Sequence, residues 1–312
     1  MRQGGPPEAG DAALRSFLLA QPGKLLLADG AWGTNLMALG LDVTQTPAER
    51  WNLDHPERIV SLARDFVRAG STILTTNTFG GNRIRLSRFG LDGHLEAINR
   101  RAVTLAREAA MDHTLVGAAM GPTGIQKIRA RAAEIRDAFA EQARALAGAG
   151  PDFLLLETMT SPEEARIALE AIHAATNLDV VCSFAFTRLE NGAFGTWSGA
   201  AVGEAVAAAH SGGARLVGLN CCPADASLRP LLEFVHDAAG NTPLWLKPNA
   251  GPAHATPGQP PYPHPVHHMP LTAAELLEHN VAAVGGCCGT TPQHVRQLAQ
   301  RIGIRNTGDT QG

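Results

Sequence analysis

The sequence predicts a single-domain α/β protein, a (β/α)8 TIM barrel, and three observations carry that prediction. Eight short apolar, β-rich runs recur along the chain, amphipathic stretches separate them, and nearly every run ends in a small or polar cluster. Strands alternating with helices imply right-handed crossovers and a parallel sheet. Eight such units within 312 residues suit a closed barrel better than an open sheet. A doubly wound sheet would also call for a phosphate-binding glycine loop after its first strand. Asp29-Gly30-Ala31-Trp32-Gly33 lacks the G-x-G-x-x-G spacing.

The first strand is expected over 25–28, three leucines and an alanine, stopping at Asp29. The second, 72–76, is β-branched and ends at Asn77; the third, 115–119, runs into Gly121-Pro122-Thr123-Gly124. The fourth, 153–156, ends at Glu157, and the fifth, 180–183, ends at Ser183. The sixth, 216–219, leads to Asn220-Cys221, the seventh, 244–246, to Lys247-Pro248-Asn249, and the eighth, 281–284, to Gly285-Gly286-Cys287-Cys288. Helical periodicity fills 56–69, 95–110, 130–147, 162–175, 200–211 and 226–239. In a barrel these strand ends converge on one mouth, where the chemistry of such folds is found.

Three segments depart from the repeat. Residues 1–20 read as a Gly/Pro-rich tail ending in a short helix over the barrel floor, and 37–56, containing Trp51, as part of a lid over the mouth. Residues 251–270, rich in Pro and His, read as an irregular loop. The expected organisation is therefore a tail over 1–20, one barrel over 21–304 and a second tail over 305–312.

Composition narrows the function. Apolar residues make up 45% and charged residues 18% of the chain, which describes a well-buried globular protein. A net charge of -3 gives no electrostatic case for nucleic acid or an anionic membrane. No apolar run is long enough to span a bilayer, and the start has no signal-peptide core. Five cysteines in that context argue for a reducing compartment, the cytoplasm, rather than a disulfide framework.

The cysteines are the most informative residues. Thiols after the sixth and eighth strands, Cys221 with Cys287 and Cys288, can face each other across the mouth as a three-thiolate set for Zn²⁺ with an open fourth position, the mark of a catalytic metal. Two other readings stand beside it: buried small hydrophobes, or a redox-active vicinal pair. Successive residues at a strand end point to opposite sides, so only one of Cys221 and Cys222 should reach the mouth. Cys182 lies within a strand and reads as core. Asp29 and Glu157 can cap helices or bind a cation such as an α-ammonium. His254, His264, His267 and His268 read as exposed loop residues. The aromatics Trp32, Phe79, Phe184, Phe186, Trp197 and Tyr262 are packing by default, though some could cage a methylated cation.

Taken together, these motifs resemble the homocysteine-binding methyltransferase family. It includes the betaine- and S-methylmethionine-dependent enzymes and the N-terminal module of cobalamin-dependent methionine synthase. The resemblance covers about residues 24–303. It rests on Asp29-Gly30-Ala31-Trp32-Gly33-Thr34, Thr76-Asn77-Thr78-Phe79-Gly80-Gly81-Asn82-Arg83, Gly121-Pro122-Thr123-Gly124, Glu157-Thr158-Met159, Gly218-Leu219-Asn220-Cys221, Pro248-Asn249-Ala250-Gly251 and Gly285-Gly286-Cys287-Cys288-Gly289-Thr290.

The resemblance implies zinc on Cys221, Cys287 and Cys288, ammonium binding by Asp29 and Glu157, and methyl transfer to a metal-activated homocysteine thiolate. A homocysteine site of Asp29, Gly30, Ala31, Glu157, Ser183 and Asn220 is expected, with Asn249 as resting fourth zinc ligand and Trp32 and Phe79 around the donor. No Asp-x-His-x-x-Gly cobalamin signature is present, since Asp92-Gly93-His94 lacks the later glycine. The donor is therefore expected to be a small molecule, with betaine first and S-methylmethionine second, or a methylcorrinoid on a separate protein. The resemblance is to bacterial stand-alone betaine-type members; the C-terminal arm of animal betaine enzymes is not expected, and Thr158 replaces their tyrosine.

Overall fold

The computed structural model describes Leu14, Leu18 and residues 23–251 and 270–303. The strands in chain order are β1 (Leu26–Leu27), β2 (Ile73–Thr75), β3 (Leu115–Met120), β4 (Phe153–Met159), β5 (Val180–Phe184), β6 (Phe186–Arg188), β7 (Phe194–Thr196), β8 (Leu216–Asn220), β9 (Leu244–Lys247) and β10 (Val281–Val284). Eight of them form one parallel sheet in the order β1-β10-β9-β8-β5-β4-β3-β2. Its ends meet where Thr72 N donates to Leu27 O (2.8 Å) and Asp29 N to Ile73 O (3.0 Å). The fold is the expected (β/α)8 barrel.

The outer helices are α1 (Pro56–Arg68), α2 (Leu95–Ala109), α3 (Ala132–Ala147), α4 (Pro162–Ala175), α5 (Val202–Ser211), α6 (Leu228–Ala239), α7 (Ala273–Glu278) and α8 (Pro292–Arg301). Their starts obey capping chemistry. Ser161 accepts from Glu164 N ahead of Pro162 at the first turn of α4, and Thr272 with Glu275 makes a capping box on α7. On α1 the buried stripe Ile59, Val60, Leu62, Ala63 and Phe66 has helical spacing and faces the sheet.

Alternation along the strands builds two apolar layers. Leu154, Leu156, Val180, Cys182, Val217 and Leu219 point outward against the helices. Leu26, Ile73, Phe153, Leu155, Val181, Leu216 and Trp245 point inward and fill the barrel, joined by Leu14. Phe153 and Trp245 meet edge to face at 6.2 Å. They fit because Gly117 and Gly218 leave the space: a Cβ on Gly117 would overlap the Phe153 ring, and one on Gly218 the Trp245 carbonyl.

Two features depart from the sequence reading. After β5 the chain forms an antiparallel hairpin, β6 with β7, pairing Thr187 with Gly195. Its turn contains Asn191-Gly192, with Gly192 at φ 83°, a hairpin signal that the helix patterns around it obscure. Trp51, expected in a lid, is instead buried (6% exposed) in the apolar layer with Leu27, Ile59 and Leu74, under the Arg58 guanidinium at 5.0 Å. The same segment does reach the mouth through Ala48 and Glu49. Asn77 Nδ2 donates to Ala48 O (2.7 Å) and Asn52 Nδ2 to Asn77 O (2.8 Å), tying it to the end of β2. Among the described residues no helix is long and apolar enough to cross a membrane.

Candidate metal and thiol-binding site

The inward face of five of the strands turns polar one pleat above the aromatic layer. Thr75, Glu157, Ser183, Asn220 and Lys247 each lie two residues beyond an inward apolar or glycine position: Ile73, Leu155, Val181, Gly218 and Trp245. The two-residue period thus carries them to the C-terminal mouth. Thr75, Glu157 and Lys247 border a cavity of about 290 Å³ whose lining includes Trp32, Glu49, Phe79 and all three candidate metal-binding cysteines, while Ser183 and Asn220 are fully buried outside that lining.

The sulfurs of Cys221, Cys287 and Cys288 lie within 4.8 Å of one another. Cys221 Sγ is 2.9 Å from Cys287 Sγ and 3.8 Å from Cys288 Sγ. Tetrahedral zinc with Zn–S bonds of about 2.3 Å sets its sulfurs about 3.8 Å apart. The Cys221–Cys288 pair matches that spacing, and the closer pair needs only to spread. Three soft sulfurs without a carboxylate or imidazole among them suit zinc and leave a position for another ligand.

Backbone geometry aims these sulfurs. Cys221 adopts a left-handed conformation, φ 54°, which turns its side chain into the mouth and leaves Cys222 fully buried in the outer core. Thr158, after Glu157, is left-handed too, φ 59°. Asn220 holds it: Thr158 N donates to Asn220 Oδ1 (3.0 Å), and Asn220 Nδ2 donates to Thr158 Oγ1 (2.7 Å). Ser183 Oγ also donates to Asn220 Oδ1 (2.9 Å). Asn220 Nδ2 lies 3.8 Å from Cys287 Sγ, so Ser183 and Asn220 form a buried support behind the thiols. Non-glycine residues in this backbone region cost of order 1–3 kcal/mol each and cluster at functional sites.

The loop carrying Cys287 and Cys288 is pinned at both ends. Cys287 N donates to Pro248 O (2.7 Å) and Ala250 N to Cys288 O (2.9 Å). Gly286 packs where a Cβ would overlap the Thr290 side chain, and Gly289 turns the chain at φ 79°. Ala31 N donates to Thr290 O (3.0 Å), and a side chain on Gly30 would collide with that same carbonyl. Gly30 and Ala31 therefore anchor the loop as well as lining the cavity.

The electrostatics centre on an ion pair that sequence reading missed. Lys247 Nζ lies 2.7 Å from Asp29 Oδ1, with the side chains 4% and 0% exposed. Asp29 Oδ2 also accepts from Thr75 N (2.7 Å) and Thr75 Oγ1 (2.9 Å). Burial works against the lysine charge, but Asp29 and Glu157 outweigh it and leave the Lys247 pKa raised. Glu157 faces the cavity, yet protein surrounds it; burial pushes its pKa up to about 8, against the pull of Lys247. Among the described residues nothing hydrogen-bonds its carboxyl. Contact with Cys221 lowers the Cys287 pKa, but contact with Cys288 and burial outweigh it, and the thiol rises to about 11. Cys221 is raised well above the ordinary value by its contacts with Cys287 and Cys288 and by burial. Without a metal Cys221 and Cys287 hold their protons at neutral pH, so a metal must displace them.

Elsewhere in the cavity lining, Trp32 donates its indole N–H to Thr75 Oγ1 (3.1 Å). Phe79 lines the same cavity, but the Arg85 guanidinium already sits over its ring at 4.9 Å. Glu49, 5% exposed and absent from the sequence-derived set, lines the cavity and accepts from Gly80 N. Phe184 and Phe186 are core, and Trp197 is exposed on the hairpin side. Cys182 is core. Asn249 lines a separate cavity of about 440 Å³ with Gly286 and His294, and its Oδ1 is buried without a hydrogen-bond partner. That cavity contains no thiol. His254, His264, His267, His268 and Tyr262 lie outside the described residues, as do the tail over 305–312 and most of the segments 1–20 and 251–270. The inward parity of strand nine, two residues past Trp245, was the sequence signal for Lys247.

Comparison with known proteins gives concordant results. A family model described as homocysteine S-methyltransferase matches residues 26–302. Methionine synthase from Mycobacterium leprae is 28% identical over 305 residues, covering 91% of this chain and 25% of that protein. The Mycobacterium tuberculosis methionine synthase is 28% identical over 300 residues, covering 89% of this chain and 25% of that protein. The chain thus spans about a quarter of the length of these relatives. The metallated form of homocysteine methyltransferase MmuM from Escherichia coli has the same fold, with a TM-score of 0.75 at 23% identity, covering 93% of this chain and all of that one.

Proposed function

Because the chain belongs to the homocysteine S-methyltransferase family, we propose that it is a cytoplasmic enzyme that methylates homocysteine sulfur to give methionine, with zinc held by Cys221, Cys287 and Cys288. The convergence of three cysteine sulfurs on one wall of a cavity that also holds Glu157 carries this reading. Bound there, zinc would take the acceptor thiol as its deprotonated, nucleophilic form. Asn249 is a candidate resting fourth ligand: its neighbours Pro248 and Ala250 bond to the backbone of Cys287 and Cys288, and among the described residues its buried Oδ1 has no other partner.

The chain's own residues bind and orient. Glu157 receives the substrate ammonium: an arriving cation favours loss of the Glu157 proton and replaces a buried neutral acid with an ion pair. Asp29, already paired with Lys247, acts behind it. Asn220 and Ser183 hold the backbone that aims Glu157 and Cys221. The acceptor sulfur attacks the donor methyl carbon as the bond to the leaving nitrogen or sulfur breaks, and no side chain is needed as general base.

The donor is assigned to betaine. Trp32 offers a ring face to a methylated cation, and the acidic Glu49 lines the same cavity. S-methylmethionine has the same cationic chemistry. A methylcorrinoid on a separate protein is the second reading, favoured by likeness to methionine synthases about four times as long as this chain. Methionine formation should be measured with zinc-loaded protein, homocysteine and each donor in turn. Product with betaine is expected; product only with a methylcorrinoid protein would overturn the small-donor assignment, and no methionine with any donor would overturn the function.

A further inference from the structure

Lys247 is a lysine buried in the floor of the cavity proposed to hold homocysteine, and the ammonium-binding role does not explain it. A lone acidic site for an α-ammonium would be weakened by a lysine, which repels the incoming cation and occupies one carboxylate. Asp29 is in that condition: Thr75 N, Thr75 Oγ1 and Lys247 Nζ all donate to it, and it does not line the cavity. Lys247 does line it, together with Glu157 and Cys287. The ammonium has three N–H donors, and among the described residues Asp29 is the one side-chain acceptor it reaches. A base and an acid thus border the same small space beside the thiols.

We propose that Lys247 is a specificity-determining residue that receives the carboxylate of the acceptor thiol, while Glu157 receives its ammonium. Asp29 then serves to hold Lys247 charged and in place. The complement is to a zwitterion: one positive and one negative group on the wall, matched to a carboxylate and an ammonium on a single carbon. A charge-assisted hydrogen bond in a water-poor cavity discriminates strongly against a ligand that lacks it, because the lysine is then left facing an apolar atom. The inference rests on the methyltransferase reading only for the identity of the acceptor; the recognition it describes is of a thiol bearing a carboxylate.

Calorimetry on the zinc-loaded protein tests it without reference to turnover. Three thiols are titrated: homocysteine, its analogue without the carboxylate (aminopropanethiol) and its analogue without the amino group (mercaptobutanoate). In the native protein both analogues should bind more weakly than homocysteine. In Lys247→Met, homocysteine and mercaptobutanoate should weaken by about 10-fold or more, while aminopropanethiol should change by less than about 3-fold. Leaving Asp29 buried and unpaired can unfold the barrel, so the double variant Asp29→Asn with Lys247→Met removes both charges and should show the same selective loss. Lys247→Arg should restore part of the preference for carboxylate. Equal weakening of all three thiols, or unchanged homocysteine affinity in both variants, overturns the assignment while leaving the methyltransferase reading intact. Failure of the native zinc-loaded protein to bind any of the thiols overturns that reading, and the assignment with it.

Discussion

Cys221 and Cys222 are neighbours with opposite fates, and the left-handed backbone at Cys221 (φ 54°) accompanies the divergence. Cys221 reaches the cavity; Cys222 is buried, and burial pushes its thiol up to about 12. Replacing Cys221, Cys287 or Cys288 by Ala should abolish activity and stoichiometric zinc, whereas Cys182→Ala and Cys222→Ala should keep the metal. Elemental analysis after gel filtration decides it, and a full zinc complement in Cys287→Ala would refute the ligand set. Glu157 gives a second residue-scale prediction. Its pKa rises from 4.5 to about 8 on folding, so between those values the folded state keeps a proton that the unfolded chain has lost. Its contribution to stability is therefore fully present below about pH 4.5, falls as pH rises and is gone above about pH 8. Urea titrations of the metal-free protein should show that decline, and Glu157→Gln should flatten it. The same variant should raise the homocysteine KM by about 10-fold or more, for loss of one charged contact, with zinc retained.

At the scale of the element, glycine decides which strands can lie together. Gly218 on β8 faces β9 where a Cβ would overlap the Trp245 carbonyl, a backbone atom that cannot swing aside. Gly218→Ala should destabilise the barrel by about 1–3 kcal/mol or more. Gly203, in the first turn of α5, has open space where an alanine methyl would sit, with no heavy atom within 4 Å; Gly203→Ala should be neutral or stabilising by up to about 1 kcal/mol. Denaturant midpoints compare the two directly. The eight barrel strands were legible because each is a short apolar run ended by polar residues. The β6–β7 hairpin was not, because its strands are three residues each and lie within one strand-to-helix interval. The six-residue helix α7 was equally hidden, too short for a periodic pattern to register.

At the scale of the molecule, the thiols join strands far apart in sequence. Cys221 follows β8, and Cys287 and Cys288 follow β10, with β9 between them. A metal bound there links both strand ends in the folded state, so zinc should raise the melting temperature in proportion to its free concentration over Kd. Chelation should reverse the shift, and Cys287→Ala should show none; a melting temperature indifferent to zinc in the native protein would count against the site. The cavity's aromatic lining makes a further prediction. Trp32 lines the cavity, its ring fixed through Thr75. Trp32→Ala should therefore raise the KM for betaine by about 2- to 30-fold, from a cation–π contact of about 0.5–2 kcal/mol, and change the homocysteine KM less. Equal effects on both substrates would remove Trp32 from the donor side.

The sequence alone determined the barrel, since the alternation of apolar runs with amphipathic stretches is a local property of the chain. It also marked Cys221, Cys287 and Cys288, because glycine-flanked thiols at strand ends are visible without coordinates. The tertiary structure decided what the acids and bases do. Asp29 and Lys247 are separated by 218 positions, and only closure of the sheet brings them together. That contact removes Asp29 from the cavity wall and puts a cation beside Glu157. The Arg85 guanidinium over Phe79, the burial of Trp51 and the entry of Glu49 have the same origin. Each depends on which side chains meet across a closed barrel, and charge pairing between distant strand ends leaves no periodic trace in the sequence.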